Sequence, residues 1–403
     1  MGSRRSVRGA VWAIALVGLG LRLGLAAASF GTNDVHYWID FTQGALDRGP
    51  IGIYAIDFEA SLYNHGPLTS WLLMLLGNLG DHGVSLPFLI RVPASLADLV
   101  TTIVLFELVR RLRGDRTALA VAAVFSFSPL AWAVSGFHGN TDPVFVMLVL
   151  VSVLLLTKHR NGWAAGMALG LALSIKIVPV VVVGVLAVVA WRQGRQVARA
   201  FVLGGGVVFA ALWVPVLVTE PRSFVAHYLG YAGIAPRQWG LSQFLAWAGV
   251  PWETVVEIGS GARFMVVAVC LFVPAVLAWK APLERAGSLV GLSLCLFLLL
   301  SPAFAIQYLV WALAAALLVA ELRVVAVYVC SASAFVLVVY SGWSDAAPWA
   351  WDEAVSSPLP GIVLPLMVAT WVGLAWVVLK AAVAGVSTTA SVHTKGEEVH
   401  ASV

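Results

Sequence analysis

Residues 161–191 read NGWAAGMALGLALSIKIVPVVVVGVLAVVAW, an almost wholly apolar stretch whose one charged residue, Lys176, lies near its middle. If the stretch crosses a membrane twice, each helix has roughly 23 Å at about 1.5 Å per residue, against a hydrocarbon core of about 30 Å. We therefore expect the turn at 176–179 to lie below the outer membrane surface. Non-helical backbone at that depth is tolerated only where protein buries it or where it lines a wet cavity.

A second segment, 286–320, has the same shape, with Ser301 and Pro302 at its apex. The two apices together predict a cavity that opens to the non-cytoplasmic side. Within the first hairpin, Gly162, Gly166 and Gly170 form a small-residue stripe, which favours close packing of two helices.

Composition excludes two broad classes of protein. Of the 403 residues, 61% are apolar and only 11% are charged, whereas a soluble domain is about 25% charged. The chain is therefore neither a water-soluble globule nor a disordered polypeptide. Three cysteines, Cys270, Cys295 and Cys330, lie inside apolar runs, give neither a disulfide framework nor metal-ligand spacing, and are interpreted as small buried hydrophobes.

Charge patterning predicts the topology. Basic clusters return at nearly every second gap between apolar runs, at the N terminus, 110–116, 158–160, 192–199, 280–285, 321–323 and around 380. By the positive-inside rule this pattern predicts about twelve crossings with both termini in the cytoplasm. Residues 26–28 imitate a signal-peptide cleavage site, but Arg22 is poorly placed in such a segment, and we interpret the first apolar run as a transmembrane helix.

The predicted organisation is an all-α polytopic membrane domain over residues 1–380, followed by a disordered cytoplasmic tail at 381–403. Residues 29–80 form an outer loop with interfacial helices. Val35, Trp38, Ile39 and Thr42 recur at helical spacing, which favours a helix along the membrane interface. The run 67–79 is too short to span and is expected to lie on the surface.

Asp34 follows the first helix by about one turn. A carboxylate at the membrane boundary can have a raised pKa and act as a general base toward a hydroxyl. The alternative is a helix cap for the segment that follows. The residue by itself does not decide between these functions.

Lys176 is the clearest candidate for function, because an ammonium group at membrane depth is costly. The alternative is a lysine that reaches up to the outer head groups. Arg91 is interpreted as a span-end anchor, and Asp98 as either its counter-charge or part of a site. Arg22 is also intramembrane, but the sequence does not identify its partner.

Further candidates lie in outer loops. The turn at 136–143 contains His138, Asn140 and Asp142, and the loop at 63–67 contains His65. Arg237 precedes Trp239, and arginine suits phosphate oxygens while tryptophan suits a sugar face. Each could be an ordinary loop residue, but the candidate residues share one predicted side of the membrane: Asp34, His65, His138, Asp142, Lys176, Arg237 and Gln307.

In these residues the chain resembles the GT-C glycosyltransferases, polytopic enzymes that use polyprenyl-phosphate sugars as donors. The resemblance rests on Asn33-Asp34, on Tyr-Asn-His-Gly-Pro-Leu at 63–68 and on the turn at 138–142. It also rests on Ser-Ile-Lys-Ile-Val-Pro at 174–179 and on the segment 301–311. It spans about residues 10 to 320.

The resemblance implies a GT-C-like fold and an inverting sugar transfer. Asp34 is then the base on the acceptor hydroxyl, and Lys176 and Arg237 neutralise the departing lipid phosphate. The residues that orient sugar or phosphate are then His65, His138, Asp142 and Gln307. Asp34 follows Asn33, so an acidic pair is missing, and we predict no metal and no cofactor.

The expected partners are a lipid-linked sugar donor, a glycan or glycolipid acceptor and membrane lipids, with no nucleic acid. We expect a bacterial plasma membrane and an active site on the non-cytoplasmic face. The alternative class is a secondary transporter or flippase, which twelve helices would also suit. Against it, the two halves show no similarity and the polar residues concentrate in outer loops.

Overall fold

The computed structural model describes residues 2–59, 61–230, 239–319, 321–344, 347–349 and 360–400, and their regular structure is helical. The helices are α1 Gly2–Ala28, α2 Asp34–Gly52, α3 Pro67–Gly80, α4 Leu86–Phe127, α5 Pro129–Trp132, α6 Asp142–His159, α7 Gly162–Ile175, α8 Val183–Arg192, α9 Arg195–Thr219, α10 Pro221–Phe224, α11 Gly240–Trp247, α12 Trp252–Lys280, α13 Ala286–Leu300, α14 Leu309–Val319, α15 Leu322–Trp343 and α16 Pro360–His400. The predicted all-α architecture is confirmed.

Helix length and apolarity agree with a membrane protein. Among the described residues, eight helices are long and apolar enough to cross a membrane, and three shorter apolar helices accompany them. The 42-residue helix α4 is two helices that meet at Gly114, where φ is +81°. That backbone conformation favours glycine, because a Cβ atom there would be strained. The count of twelve crossings stays a prediction.

The first loop contains helices, as predicted, and their position at a membrane interface stays a prediction. Helix α2 buries Val35, Trp38 and Thr42, three of the four residues picked for helical spacing, and it packs on the 14-residue helix α3. Its aromatic side chains lie in one cluster with residues of α9 and α10. The loop is therefore a packed layer on the bundle.

The glycine stripe of α7 packs against α9, as predicted. A Cβ atom on Gly166 would lie 1.9 Å from the carbonyl oxygen of Phe201, and one on Gly162 would lie 2.2 Å from that of Val197. On the facing helix, a Cβ on Gly204 would lie 2.1 Å from the Trp163 carbonyl oxygen. The two backbones touch, so these glycines are explained by packing.

Both predicted apices interrupt the α-helices, and each contains or leads into a short 3-10 turn, Val178–Val182 in the first. Helix α7 ends after 14 residues at Ile175, and Lys176 has an extended backbone with φ −149° and ψ 150°. After α13, residues 301–305 are irregular and a short 3-10 turn, Ile306–Tyr308, leads into α14. The two turns contact each other, because Lys176 lies against the rings of Tyr308 and Trp311.

The partner of Arg22 is Asp98. The Arg22 Nε atom donates to Asp98 Oδ2 at 2.8 Å, and both side chains are almost fully buried. Ser135 donates to the same carboxylate oxygen at 2.6 Å. Arg91 instead donates to the carbonyl oxygens of Ala26 and Ser29, so Asp98 is not its counter-charge.

Two further expectations differ from the structure. Cys270 and Cys295 are buried as predicted, but Cys330 is exposed because it lies on the outward face of α15. The predicted outer loop 219–262 contains α10, α11 and the first turns of α12. The domain limit at residue 380 stays a prediction.

Candidate active site

Lys176 is held by an ion pair at the meeting point of the two apices. Its Nζ lies 2.6 Å from Oδ1 of Asp142, the first residue of α6. The other carboxylate oxygen accepts from Trp311 Nε1 at 2.8 Å. Asp142 is fully buried and Lys176 is 13% exposed, so the ammonium group has a fixed counter-charge.

Aromatic rings complete the surroundings of the ammonium group. Lys176 Nζ lies 4.7 Å from the centre of the Tyr308 ring and 5.5 Å from that of Trp311. The two rings stack on each other at 4.1 Å. Cations are attracted to aromatic faces at these distances. The rings of the second apex therefore help to hold the ammonium group of Lys176, which lies in the first apex.

The end of the first loop is bonded to the turn that contains Lys176. The backbone N–H of Gly66 donates to the carbonyl oxygen of Ile175 at 3.0 Å. Tyr228 donates to the carbonyl oxygen of Leu173 at 2.6 Å. These bonds satisfy carbonyls that the end of α7 leaves without helical partners. The Tyr-Asn-His-Gly-Pro stretch and the Lys176 turn therefore form one unit.

Asp34 lies beside His138. It is the first residue of α2, and its Oδ2 atom lies 3.1 Å from His138 Nε2, outside the direction of a well-aligned hydrogen bond. The opposite ring nitrogen, Nδ1, lies 3.0 Å from the Thr32 hydroxyl. The ring also stacks on Tyr340 at 5.3 Å. The buried imidazole of His138 thus holds the carboxylate of Asp34, which is 40% exposed.

The backbone before Asp34 is positioned by close packing. Gly31 has φ +103°, and a Cβ atom there would lie 2.5 Å from the carbonyl oxygen of Phe137. Residues 133–138 form a π-helical turn, a feature often found at functional sites. The turn after α1 therefore lies directly against the segment that presents His138.

The pKa of Asp34 is shifted downward from its ordinary value, and not upward as a carboxylate at a membrane boundary can be. Burial raises the pKa of this carboxyl, but the adjacent His138 ring and the positive charge of Lys176 lower it. The lowering effects outweigh burial. The carboxylate is consequently ionised at neutral pH, the protonation state that a general base requires.

His65 is held neutral. Burial lowers the pKa of its ring to about 3, and the charge of Lys176 adds to the shift, while Asp34 opposes it. The ring lies 4.5 Å from that of Trp38, and its buried Nδ1 has no hydrogen-bond partner. Asp34, His65 and Lys176 therefore lie within electrostatic range of one another.

Five of the seven candidate residues come together: Asp34, His65, His138, Asp142 and Lys176. Gln307 is half-buried in the turn beside Tyr308. Arg237 lies outside the described residues.

Sequence reasoning missed the aromatic residues and Thr32. Tyr308 and Trp311 are three apart, a spacing that places two side chains on one helical face. That spacing, considered together with Lys176, could have indicated an aromatic site for the ammonium group. Nothing local marks Thr32 or Tyr340, which reach His138 from other elements.

The described residues offer no group of three His, Cys, Asp or Glu side chains that could hold a metal ion. The site consists of an ionised carboxylate, a buried imidazole and a cation. Such groups can accept a proton and stabilise an anionic leaving group.

Comparison with known proteins gives two findings. Residues 64–218 match the model of the family described as dolichyl-phosphate-mannose-protein mannosyltransferase. The matched segment begins one residue before His65 and includes His138, Asp142 and Lys176. No curated protein sequence matches the chain.

Two crystal structures of ArnT from Cupriavidus metallidurans share the fold. The apo structure matches with a TM-score of 0.55 and the structure bound to undecaprenyl phosphate with 0.52. Each match covers 93% of this chain and 77% of ArnT, at 15% sequence identity. The predicted GT-C-like fold is confirmed.

The class defined by these findings is that of integral membrane proteins with the GT-C fold. The family match over 64–218 and the shared fold support a glycosyltransferase. The resemblance predicted from the sequence is therefore confirmed. Its finer points, namely the sugar, the acceptor and the residue roles, belong to the proposal that follows.

Proposed function

We propose that this protein transfers a sugar from a polyprenyl-phosphate donor to a hydroxyl of an envelope glycan or lipid-linked acceptor. The observation that carries the proposal is an ionised, partly exposed Asp34 within electrostatic range of a fixed cation, Lys176. The donor class is supported by the matched family, whose description includes a lipid phosphate, and by the ArnT structure with undecaprenyl phosphate.

Asp34 is the general base of the proposed reaction. Its carboxylate takes the proton of the acceptor hydroxyl as the oxygen attacks the anomeric carbon. The bond between that carbon and the phosphate oxygen breaks, and the lipid phosphate leaves with the electron pair. Attack from the side opposite the leaving group inverts the anomeric carbon. His138 holds the base at 3.1 Å.

Lys176 supplies positive charge to the departing phosphate. A preorganised cation is effective because it needs no rearrangement as the negative charge develops. Arg237 adds a second cation, and His65, Asp142 and Gln307 orient the substrates or the lysine. Asp142 acts by positioning Lys176, since both of its carboxylate oxygens already bond protein groups. We propose no metal and no cofactor.

The proposed location is a bacterial plasma membrane with both termini in the cytoplasm. The alternation of basic and non-basic loops supports this orientation. Asp34 and Lys176 then act on the non-cytoplasmic face.

The experiment uses the full-length protein in lipid vesicles with radiolabelled polyprenyl-phosphate mannose, glucose or arabinose and an extract of envelope glycolipids. Wild type is compared with Asp34→Asn, and with Asp40→Asn as a matched control because Asp40 is exposed on the same helix. We expect Asp34→Asn to reduce label transfer at least about 100-fold, the low end for loss of a general base. Asp40→Asn is expected to stay near wild type.

Near-normal turnover of Asp34→Asn would remove Asp34 from the base role. Lack of transfer by folded wild type from all three donors would contradict the proposed donor class. In a second assay, Lys176→Ala is expected to raise the KM for the lipid-phosphate donor. An unchanged donor dependence in that variant would make Lys176 structural.

A further inference from the structure

A cavity with three charged residues in its lining lies at the end of the bundle away from Asp34. This basal cavity has a volume of about 240 Å³. It is lined by residues of α4, α12 and α13 and of the turns that precede α13 and follow α14: Arg113, Leu277, Arg285, Ser288, Leu292 and Glu321. Helix α4 connects the two ends, with Arg91 bonded to Ser29 near the site and Arg113 in the cavity. The 22 residues between them correspond to about 33 Å.

We propose that the basal cavity binds the head group of an anionic phospholipid, with its phosphodiester between Arg113 and Arg285. The cavity is separate from the proposed transfer reaction and does not depend on it. Basic pockets between transmembrane helices are typical binding sites for lipid head groups.

Charge is the first argument. Arg113, Arg285 and Glu321 lie within electrostatic range of one another, and together they carry a net charge of +1. A phosphodiester carries one negative charge, which balances that surplus. The guanidinium of Arg285 also matches phosphate geometry, because it presents its donors in a planar fork, while Arg113 contributes its charge.

The position of Arg113 is fixed by backbone contacts. Its Nη2 donates to the carbonyl oxygen of Leu318 at 2.7 Å, close to where α14 ends. Bonds to neutral carbonyls leave the positive charge of the guanidinium in place. Arg113 therefore presents a fixed charge, whereas Arg285 lies in the short turn Leu283–Arg285 between α12 and α13.

Part of the wall of the basal cavity is apolar, as contact with the apolar part of a lipid requires. Leu277, Leu289 and Leu292 line the cavity beside its polar groups. Leu112, also in the lining, is 39% exposed. A head group in the cavity would leave acyl chains against this apolar surface, which a soluble anion would not use.

The test measures binding to full-length, delipidated protein in mild detergent. The probes are short-chain phosphatidylglycerol, short-chain phosphatidylcholine and glycerol phosphate. We expect wild type to bind phosphatidylglycerol more tightly than either of the other probes. Arg285→Gln is expected to weaken that binding about fivefold, the effect of one arginine near anionic lipid.

Two further variants make the test specific. Glu321→Gln is expected to tighten phosphatidylglycerol binding, because it removes the negative charge from the cavity. Arg195→Gln serves as the control, since Arg195 is an exposed arginine at the start of α9, and it is expected to bind as wild type does.

Equal affinity of wild type for phosphatidylglycerol and phosphatidylcholine would overturn the proposal. So would equal losses in Arg285→Gln and Arg195→Gln. Glycerol phosphate binding as tightly as phosphatidylglycerol would identify a soluble phosphate as the ligand, and would overturn the lipid as its source.

Discussion

Asp142 Oδ1 and Lys176 Nζ lie 2.6 Å apart and join the start of α6 to the turn after α7, across 34 residues of sequence. The carboxylate is fully buried and the lysine nearly so. Such a pair contributes little net stability compared with apolar residues, but removing one partner leaves a buried charge without compensation.

The Asp142 and Lys176 pair is therefore expected to show strong coupling in a double-mutant cycle. Asp142→Asn alone should cost about 3–5 kcal/mol, the usual range when one partner of a buried pair is lost. Adding Lys176→Met should recover part of that loss, because the stranded charge is gone. Thermal unfolding of the full-length variants measures this, and strictly additive losses would contradict the coupling.

Gly66→Ala is expected to disrupt the contact between the first loop and the Lys176 turn. A Cβ atom on Gly66 would lie 2.2 Å from the carbonyl oxygen of Ser174, a distance that forces the backbones apart. The control is Gly80→Ala, where the nearest atom, Leu86 Cβ, would lie at 3.9 Å. We expect a lower melting temperature and weaker transfer only in Gly66→Ala, and equal behaviour of the two variants would refute this explanation.

His65 is expected to make stability depend on acid pH. Its ring has a pKa of about 3 in the folded protein, against an ordinary value of 6.5. Between these values the unfolded chain binds a proton that the folded protein does not, so stability rises with pH in this window. Its contribution is complete above pH 6.5 and is lost as the pH falls toward 3.

The matched variant is His65→Phe, which keeps an aromatic ring beside Trp38 but does not titrate. Melting temperatures measured from pH 7 to pH 4 should fall less steeply than in wild type. His82→Phe is the control, because His82 is exposed in the turn after α3. A wild-type slope in His65→Phe would contradict a buried neutral ring.

Asp98→Asn is expected to destabilise the protein by about 3–5 kcal/mol, because Arg22 keeps its charge in a buried position. The comparison is Glu107→Gln, which removes a partly exposed carboxylate that pairs with Arg110 and Lys158. Pairs near water contribute about 0–1 kcal/mol. Similar losses in the two variants, measured by thermal unfolding, would show that burial does not control the energy of these pairs.

Patterns local in sequence predicted much of the architecture. The length of the hairpin at 161–191 predicted two short helices with a turn at Lys176, and α7 ends at Ile175. The glycine stripe predicted close packing, because the periodicity of α7 determines which side chains share a face. Helical spacing after Asp34 likewise predicted α2.

Local sequence patterns did not predict contacts between residues that are far apart in the sequence. Arg22 and Asp98 are 76 residues apart, and no local pattern relates them. The pKa of Asp34 shifts downward because His138 packs against it from another segment. The second bond of Asp142, to Trp311, depends on how two apices meet across 169 residues.

The shortness of α7 and α14 has a consequence for the bilayer. At about 1.5 Å per residue, their 14 and 11 residues extend about 21 and 17 Å, less than a hydrocarbon core of about 30 Å. Lipid beside such helices would have to thin to avoid hydrophobic mismatch. Residues 309–318 of α14 are all buried, however, and the 25-residue α9 packs along α7. The neighbouring protein therefore covers these short helices, so their length does not require the membrane around the protein to thin.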